Sequence, residues 1–204
     1  MINNLTRIEP YFAPIFLYQN AISDSECEEL RKFCDKQEYQ PSIPGTDTCL
    51  HYSTNQNILA EFTDLKEYFE SIVQNISTNV IRQVTEAFSI KQSWITRTPP
   101  GGASPFHSHK NYYMAGVLYL QDNNQLILEN PWQNLSAFAF EPIEQSPFNC
   151  LNSVITAPKN SFILLPSYLK HQVPPWNGEG IRYSITMNIH PIGTYGVPSA
   201  FITV

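Results

Sequence analysis

The histidines are the residues whose spacing says most about chemistry in this chain of 204 residues. His107 and His109 stand two residues apart, directly before the apolar run 114–120. In an extended segment both side chains point to the same face, with about 7 Å between neighbouring same-face positions. Two imidazoles at that separation can bind one metal ion. Two unrelated surface or core histidines give the same pattern, so the pair alone leaves both interpretations open.

A third histidine strengthens the metal interpretation. His171 follows the strongly β-like run 161–166, so it stands at the end of another predicted strand. Together His107, His109 and His171 predict a mononuclear metal site. The chain has five histidines. We interpret the other two as structural, because His51 lies in a turn-rich stretch and His190 lies at the end of the last predicted strand.

Arg182 is the second unusual residue, because it interrupts the otherwise apolar strand 181–188. A guanidinium in such a position is costly unless it is paired. One explanation is a salt bridge to an internal carboxylate; the other is a bidentate clamp on a carboxylate ligand. Ser184 lies on the same strand face and can add a hydroxyl hydrogen bond. Tyr119 and Asn188 are further pocket candidates, although core packing explains Tyr119 equally well and Asn188 could simply satisfy buried backbone groups.

Composition limits the classes of function. The formal net charge is −6 and no cluster of Lys and Arg appears, which argues against nucleic-acid binding. The four cysteines form no CxxC pair, as is typical of reduced thiols in a cytosolic protein. We find neither a signal peptide nor an apolar run of about 20 residues, so we expect a cytoplasmic protein with no membrane segment.

The order of elements predicts an α+β fold in a single domain, residues 1–204. A capping-box sequence at Ser23–Glu26 predicts a helix to about residue 36, and apolar periodicity predicts a long helix over 59–87. The proline-broken segment 8–18 is typical of an edge strand or arm, and we consider that it could mediate a homodimer. Strands are predicted at 90–97, 114–121, 125–129, 153–157, 161–165 and 180–190.

These elements divide into two parts. Residues 1–88 supply the arm and the supporting helices, and residues 89–193 supply a β-barrel core. Residues 130–152 form a long irregular insertion within that core, of the kind often used as a lid or a binding loop.

The set of motifs resembles the Fe(II)/2-oxoglutarate-dependent oxygenase superfamily, and within it a branch common in phage and marine bacterial genomes. The resemblance rests on 94–96, His107-Ser-His109, 115–120, 165–174 and 182–188. It implies a double-stranded β-helix, that is, a jelly-roll or cupin-like barrel, buttressed by the N-terminal helices. It also implies Fe(II) and 2-oxoglutarate as cofactors, with His107 and His171 as metal ligands. Arg182 would grip the distal carboxylate of 2-oxoglutarate, with Ser184 beside it, and the reaction would couple decarboxylation to hydroxylation of a substrate.

The chain departs from that family at His109, where the family has an acid. Either His109 ligates as a third imidazole, or water or a carboxylate such as Asp122 or Glu129 takes its place. The departure keeps two alternatives open: a three-histidine cupin-type dioxygenase that needs no 2-oxoglutarate, and a non-catalytic binding protein. The sequence does not name the substrate, which could be a protein side chain or a small molecule.

Overall fold

A seven-stranded antiparallel sheet forms the centre of the molecule. The structure is a computed structural model that describes residues 14–46, 49–81, 86–131, 143–144, 150–195 and 199–203. The strand order in the large sheet is β1-β8-β5-β10-β4-β3-β2. Its strands are β1 (Phe16–Tyr18), β2 (Tyr39–Pro41), β3 (His51–Ser53), β4 (Ala87–Thr98), β5 (Met114–Tyr119), β8 (Phe162–Pro166) and β10 (Arg182–Ile192).

A smaller antiparallel sheet of three strands, in the order β7-β6-β9, accompanies the large one. Its strands are β6 (Asn124–Glu129), β7 (Asn152–Ala157) and β9 (His171–Gln172). A short ribbon of β11 (Thr194–Tyr195) and β12 (Ile202–Thr203) follows the barrel strands. These sheets and the N-terminal helices confirm the predicted α+β, double-stranded β-helix fold. The division of the chain at residue 88 and the extent of a single domain remain predictions.

Strand β5 lies between two apolar cores, which explains why all six of its residues are buried. Met114 and Leu118 face the core that the helices cover. Ala115, Val117 and Tyr119 face the second core, toward the small sheet. Because successive residues of a strand point to opposite faces, a strand covered on both sides has a continuous apolar sequence rather than an alternating one.

Helix α1 (Asp24–Cys34) begins as the capping-box sequence predicts. Glu26 N–H donates to Ser23 Oγ, and Ser23 N–H donates to Glu26 Oε2 at 2.7 Å. Its buried face consists of Cys27, Leu30 and Cys34, the three positions that the spacing predicts. All four cysteines are free thiols.

The long helix predicted over 59–87 is wrong in its extent. The structure has a 3-10 turn (Ile58–Glu61), helix α2 (Thr63–Asn75) and a π-helical segment (Ile76–Ile81) before β4 begins at Ala87. Phe62 breaks the first part, since its backbone is not helical. Leu59 N–H donates to Ser93 Oγ of β4 at 2.9 Å, which ties the 3-10 turn to the sheet. Apolar spacing continues through such a break and therefore does not reveal it.

Two further differences concern the N-terminal half. The turn-rich stretch contains β2 and β3, which extend the large sheet: β3 pairs with β4, and β2 pairs with β3. Segment 8–18 yields β1, an edge strand paired with β8, while residues 8–13 and most of the insertion 130–152 lie outside the described residues. None of the helices in the described part of the chain is long and apolar enough to cross a bilayer.

Candidate metal centre

Three imidazoles converge at one place. The ligand atoms of His107, His109 and His171 all lie within 4.8 Å of one another, the only group of this kind found within the described ranges. The His107 and His171 backbones form an isolated antiparallel bridge, with two N–H···O hydrogen bonds of 2.9 Å. His109 N–H donates to Ser167 O at 2.8 Å. The pair at 107 and 109 is thus held by single bridging contacts and not by a regular strand.

The backbone also orients two of the rings. His107 Nδ1 lies 3.0 Å from Pro105 O, and His171 Nδ1 lies 2.9 Å from Leu169 O. A carbonyl oxygen only accepts, so each Nδ1 carries the hydrogen and each Nε2 keeps its lone pair. That is the tautomer in which an imidazole ligates a metal through Nε2.

Burial keeps two of the imidazoles, His109 and His171, neutral. It lowers the pKa of His171 to about 3, with His107 contributing less. Burial also lowers the pKa of His109. Neutral imidazole is the form that binds metal. The ring of Trp94 stacks on His109 with 5.8 Å between centroids, so Trp94 lines the site, although its position near the end of a strand suggests core packing.

Arg182 lies on the wall of the same cavity and is only 4% exposed. Its Nη2 donates to Thr98 Oγ1 at 3.4 Å, and the Trp176 ring lies 5.2 Å from Cζ. No carboxylate of the described residues pairs with it, and its Nε is buried without a hydrogen-bond partner. The salt-bridge explanation for this arginine therefore finds no support in the described chain, whereas a carboxylate ligand would satisfy both the charge and the free Nε.

The remaining candidates line the cavity or adjoin it. Tyr119 is buried, and burial raises the pKa of its phenol to about 12, so it stays protonated. Ser184 also lines the cavity. Asn188 does not line it but contacts His109, with 2.6 Å between Asn188 Oδ1 and His109 Nδ1. Sequence reasoning missed further lining residues, which are Leu50, Tyr52, Trp94, Thr96, Val117, Leu126, Val173 and Thr186.

The strand register explains most of this lining. On paired strands β4 and β10, four cross-strand pairs belong to one face, because same-face residues recur at every second position. These pairs are Arg182–Thr98, Ser184–Thr96, Thr186–Trp94 and Asn188–Gln92.

The other acids and histidines considered from the sequence lie elsewhere. Asp122 Oδ1 accepts from Lys159 N–H at 2.9 Å, and Glu129 pairs with Lys170 at 3.2 Å. Neither belongs to the histidine cluster. His51 Nδ1 contacts Arg97 Nη1 at 3.0 Å, and His190 Nδ1 contacts Pro191 O at 2.9 Å, so both have the structural contacts that we predicted.

The barrel strands match a known family. Residues 92–188 fit the family model described as "Putative 2OG-Fe(II) oxygenase", a stretch that includes all three histidines and Arg182. Over these residues the chain is similar to the Fe(II)/2-oxoglutarate oxygenases. This match confirms the resemblance at the level of the superfamily, and with it the class of enzyme and its two cofactors. The branch common in phage and marine bacterial genomes stays a prediction. None of the curated proteins compared with this oxygenase matches it.

Solved structures share the fold of this oxygenase at low sequence identity. SnoK, a carbocyclase from nogalamycin biosynthesis, has a TM-score of 0.65 at 13% identity, covering 91% of this chain and 84% of its own. HygX from Streptomyces hygroscopicus, solved with nickel, 2-oxoglutarate and hygromycin B, has a TM-score of 0.60 at 12% identity, covering 88% and 83%. A Pseudomonas putida prolyl-4-hydroxylase has a TM-score of 0.54 at 16% identity, covering 88% and 93%.

Proposed function

We propose that this oxygenase holds Fe(II) through His107, His109 and His171 and holds 2-oxoglutarate through Arg182 and Ser184, and that it hydroxylates an organic substrate. The observation that carries the proposal is the buried Arg182, whose Nε has no hydrogen-bond partner in the part of the chain that the structure describes and which lines the same cavity as the histidine cluster. A metal site alone would fit many chemistries; a metal site that shares its cavity with an unpaired guanidinium fits a carboxylate cosubstrate.

The residues present fit both groups. Three imidazoles whose ligand atoms lie within 4.8 Å of one another are a suitable donor set for a divalent transition metal. The Arg182 fork can bind a carboxylate through two parallel hydrogen bonds, and the Ser184 hydroxyl on the same strand face can add a third. Tyr119 stays protonated and can donate its phenol hydrogen into the cavity.

When bound, the iron and 2-oxoglutarate supply the oxidising chemistry, in which decarboxylation of the cosubstrate is coupled to oxidation of the substrate by oxygen. The protein orients the ligands and shields them. The Trp94 ring covers one face of His109, and Trp176 lies over the Arg182 guanidinium. These aromatic rings limit the water around the His109 imidazole and the Arg182 guanidinium. With less water nearby, the electrostatic interactions of both groups with a bound ligand become stronger.

The substrate is an open part of the proposal: a protein side chain or a small molecule. HygX binds hygromycin B and another fold neighbour is a prolyl-4-hydroxylase, so the fold accommodates both classes. We further propose a cytoplasmic location, which the four free thiols support. A homodimer through the edge strand β1 is also a proposal, since β8 is the one strand that pairs with β1 within the described ranges.

The first prediction concerns Arg182. In anaerobic protein loaded with Fe(II), we expect 2-oxoglutarate to produce a weak visible charge-transfer band, whose titration gives a dissociation constant. Arg182→Ala should weaken that binding by about 30-fold or more, because losing one partner of a buried charge pair costs about 2 kcal/mol or more. Arg182→Lys should also weaken it, since an ammonium lacks the planar fork.

Arg97→Ala is the matched control. Arg97 also lies on the large sheet, but it contacts His51 and the Tyr39 ring and does not line the cavity. The Arg97→Ala substitution should leave the dissociation constant for 2-oxoglutarate unchanged. If Arg182→Ala bound 2-oxoglutarate as tightly as the wild type, the proposed clamp would be wrong. Iron binding without any 2-oxoglutarate binding would favour the three-histidine cupin alternative.

A further inference from the structure

A chain of side-chain amides runs from His109 to the protein backbone. Asn188 Oδ1 lies 2.6 Å from His109 Nδ1, and Asn188 Nδ2 donates to Gln92 Oε1 at 2.9 Å. Gln92 Nε2 donates to Gln56 Oε1 at 3.2 Å. Gln56 Nε2 donates to Ser53 O at 2.6 Å. We call these three amides, Gln56, Gln92 and Asn188, the amide relay.

The far end of the relay has a fixed direction. Ser53 O is a backbone carbonyl and only accepts, so the amide nitrogen of Gln56 must face it. The Gln56 oxygen then faces Gln92 and requires a donor there. Gln92 therefore turns its nitrogen toward Gln56 and its oxygen toward Asn188. That oxygen in turn requires the Asn188 nitrogen as its donor. In that orientation Tyr112 O–H also donates to the Gln92 oxygen, at 3.4 Å.

The orientation of these amides determines the tautomer of His109. With its nitrogen on Gln92, Asn188 presents its oxygen to His109 Nδ1, and an oxygen there requires an N–H. His109 is then the Nδ1–H tautomer with its lone pair on Nε2. The reverse direction would put an amide N–H against Nδ1 and the hydrogen on Nε2, and that tautomer cannot ligate through Nε2.

We propose that the amide relay is a positioning device that fixes His109 in its metal-binding tautomer, with the Ser53 carbonyl as its anchor. The proposal rests on the proposed function in taking His109 as a ligand. His107 and His171 obtain the same orientation directly from backbone carbonyls. His109 has only a side chain as its Nδ1 partner, so its tautomer depends on what orients Asn188.

The family's own chemistry explains why such a device is useful here. A carboxylate has two equivalent oxygens, and either one can ligate without any choice of tautomer. An imidazole at the same position has two tautomers, of which one ligates through Nε2. A histidine at 109 therefore has a requirement that an acid at this position would not have. The register of β10 against β4 shifts between Asn188 and Ile189, directly after the Asn188–Gln92 pair.

Two matched pairs of variants test the relay. Asn188→Asp and Gln92→Glu keep an acceptor where the relay needs one, and Asn188→Leu and Gln92→Met remove it at similar side-chain size. The first measurement is the tautomer of His109 in metal-free, ¹⁵N-histidine-labelled protein, read from long-range ¹H–¹⁵N couplings. The second is the affinity for Co(II) alone, followed by its visible absorption.

We expect wild type, Asn188→Asp and Gln92→Glu to show the Nδ1–H pattern for His109. Asn188→Leu and Gln92→Met should show a growing Nε2–H population and a Co(II) affinity about 10- to 100-fold weaker, the usual loss on removing the partner of a metal-ligating histidine. Far-UV circular dichroism and thermal unfolding establish that each variant is folded. Gln92 is only half-buried, so its pair of variants decides the matter if Asn188→Leu does not fold.

Wild-type behaviour in both Asn188→Leu and Gln92→Met would overturn the proposal, as would an Nε2–H pattern for His109 in the wild type. If the wild type bound no Co(II), the proposed metal site would fail. The tautomer spectra of the metal-free proteins would still decide whether the relay orients His109.

Discussion

At the scale of single residues, the charge of the metal centre distinguishes this chain from the usual arrangement of two histidines and one carboxylate. Three neutral imidazoles leave the centre one unit more positive. Asp122 accepts from the backbone N–H of Lys159 and Glu129 pairs with the Lys170 ammonium, and neither acid belongs to the histidine cluster. We therefore expect an anionic cosubstrate to bind more strongly here than to a centre that already carries a carboxylate.

The second prediction tests the third imidazole. His109→Ala should weaken Fe(II) or Co(II) binding by at least tenfold, because it removes one of three donors. His51→Ala is the matched control, since His51 contacts Arg97 and lies outside the cluster. Titration of metal into the purified variants measures both effects. Equal affinities for His109→Ala and wild type would exclude His109 as a ligand.

Residue spacing predicted the convergence of His107, His109 and His171, and it predicted an unusual role for Arg182. It did not predict Gln56 and Gln92, because isolated glutamines have no characteristic spacing and their contacts depend on the folded register. A position near the end of a predicted strand likewise indicates core packing for Trp94, whereas its ring lines the cavity. Alternation groups the residues of one strand face, but it does not say which face adjoins the cavity.

At the scale of elements, a side chain of β8 packs directly against the backbone of β5 at Gly116, and the apolar pattern does not reveal this contact. A Cβ added at Gly116 would lie 2.6 Å from the ring of Phe162, a fully buried residue on the neighbouring strand β8. This strand pair separates the helix-covered core from the core beneath the small sheet. The strands β4 to β8 and β10 were nevertheless predicted to within a few residues, because their apolar runs are bounded by turn residues.

The third prediction follows from that contact. Gly116→Ala should lower the free energy of unfolding by about 1–3 kcal/mol, the usual cost of overpacking a core. Adding Phe162→Leu should recover part of the loss, so the two substitutions should be non-additive in a double-mutant cycle. Denaturant unfolding of the four proteins measures this coupling. Simple additivity would show that the Gly116–Phe162 contact is not the source of the strain.

At the scale of the whole molecule, the buried histidines couple stability to pH. His171 has an ordinary pKa of 6.5 when unfolded and a pKa of about 3 in the fold, because burial disfavours its charged form. Between those values the unfolded chain binds a proton that the native protein does not. The stabilisation is therefore complete above pH 6.5 and is lost as the pH falls toward 3.

The fourth prediction is that the free energy of unfolding of metal-free wild type decreases more steeply than that of His171→Gln between pH 6.5 and 3. The extra slope should approach about 1.4 kcal/mol per pH unit, the value for one proton. Chemical denaturation at a series of pH values, with a chelator present, provides the measurement. Parallel curves for the two proteins would contradict the buried, neutral state of His171.

The bridge between His107 and His171 also bears on how the centre acquires a metal. Their backbones exchange two hydrogen bonds, so these two donors are already adjacent before any ion arrives, although one follows the other far along the chain. Most of the conformational entropy needed to assemble the ligands is thus lost during folding rather than during binding. The metal then binds to a preformed site, and the free energy of binding adds to the stability of a barrel that is already folded.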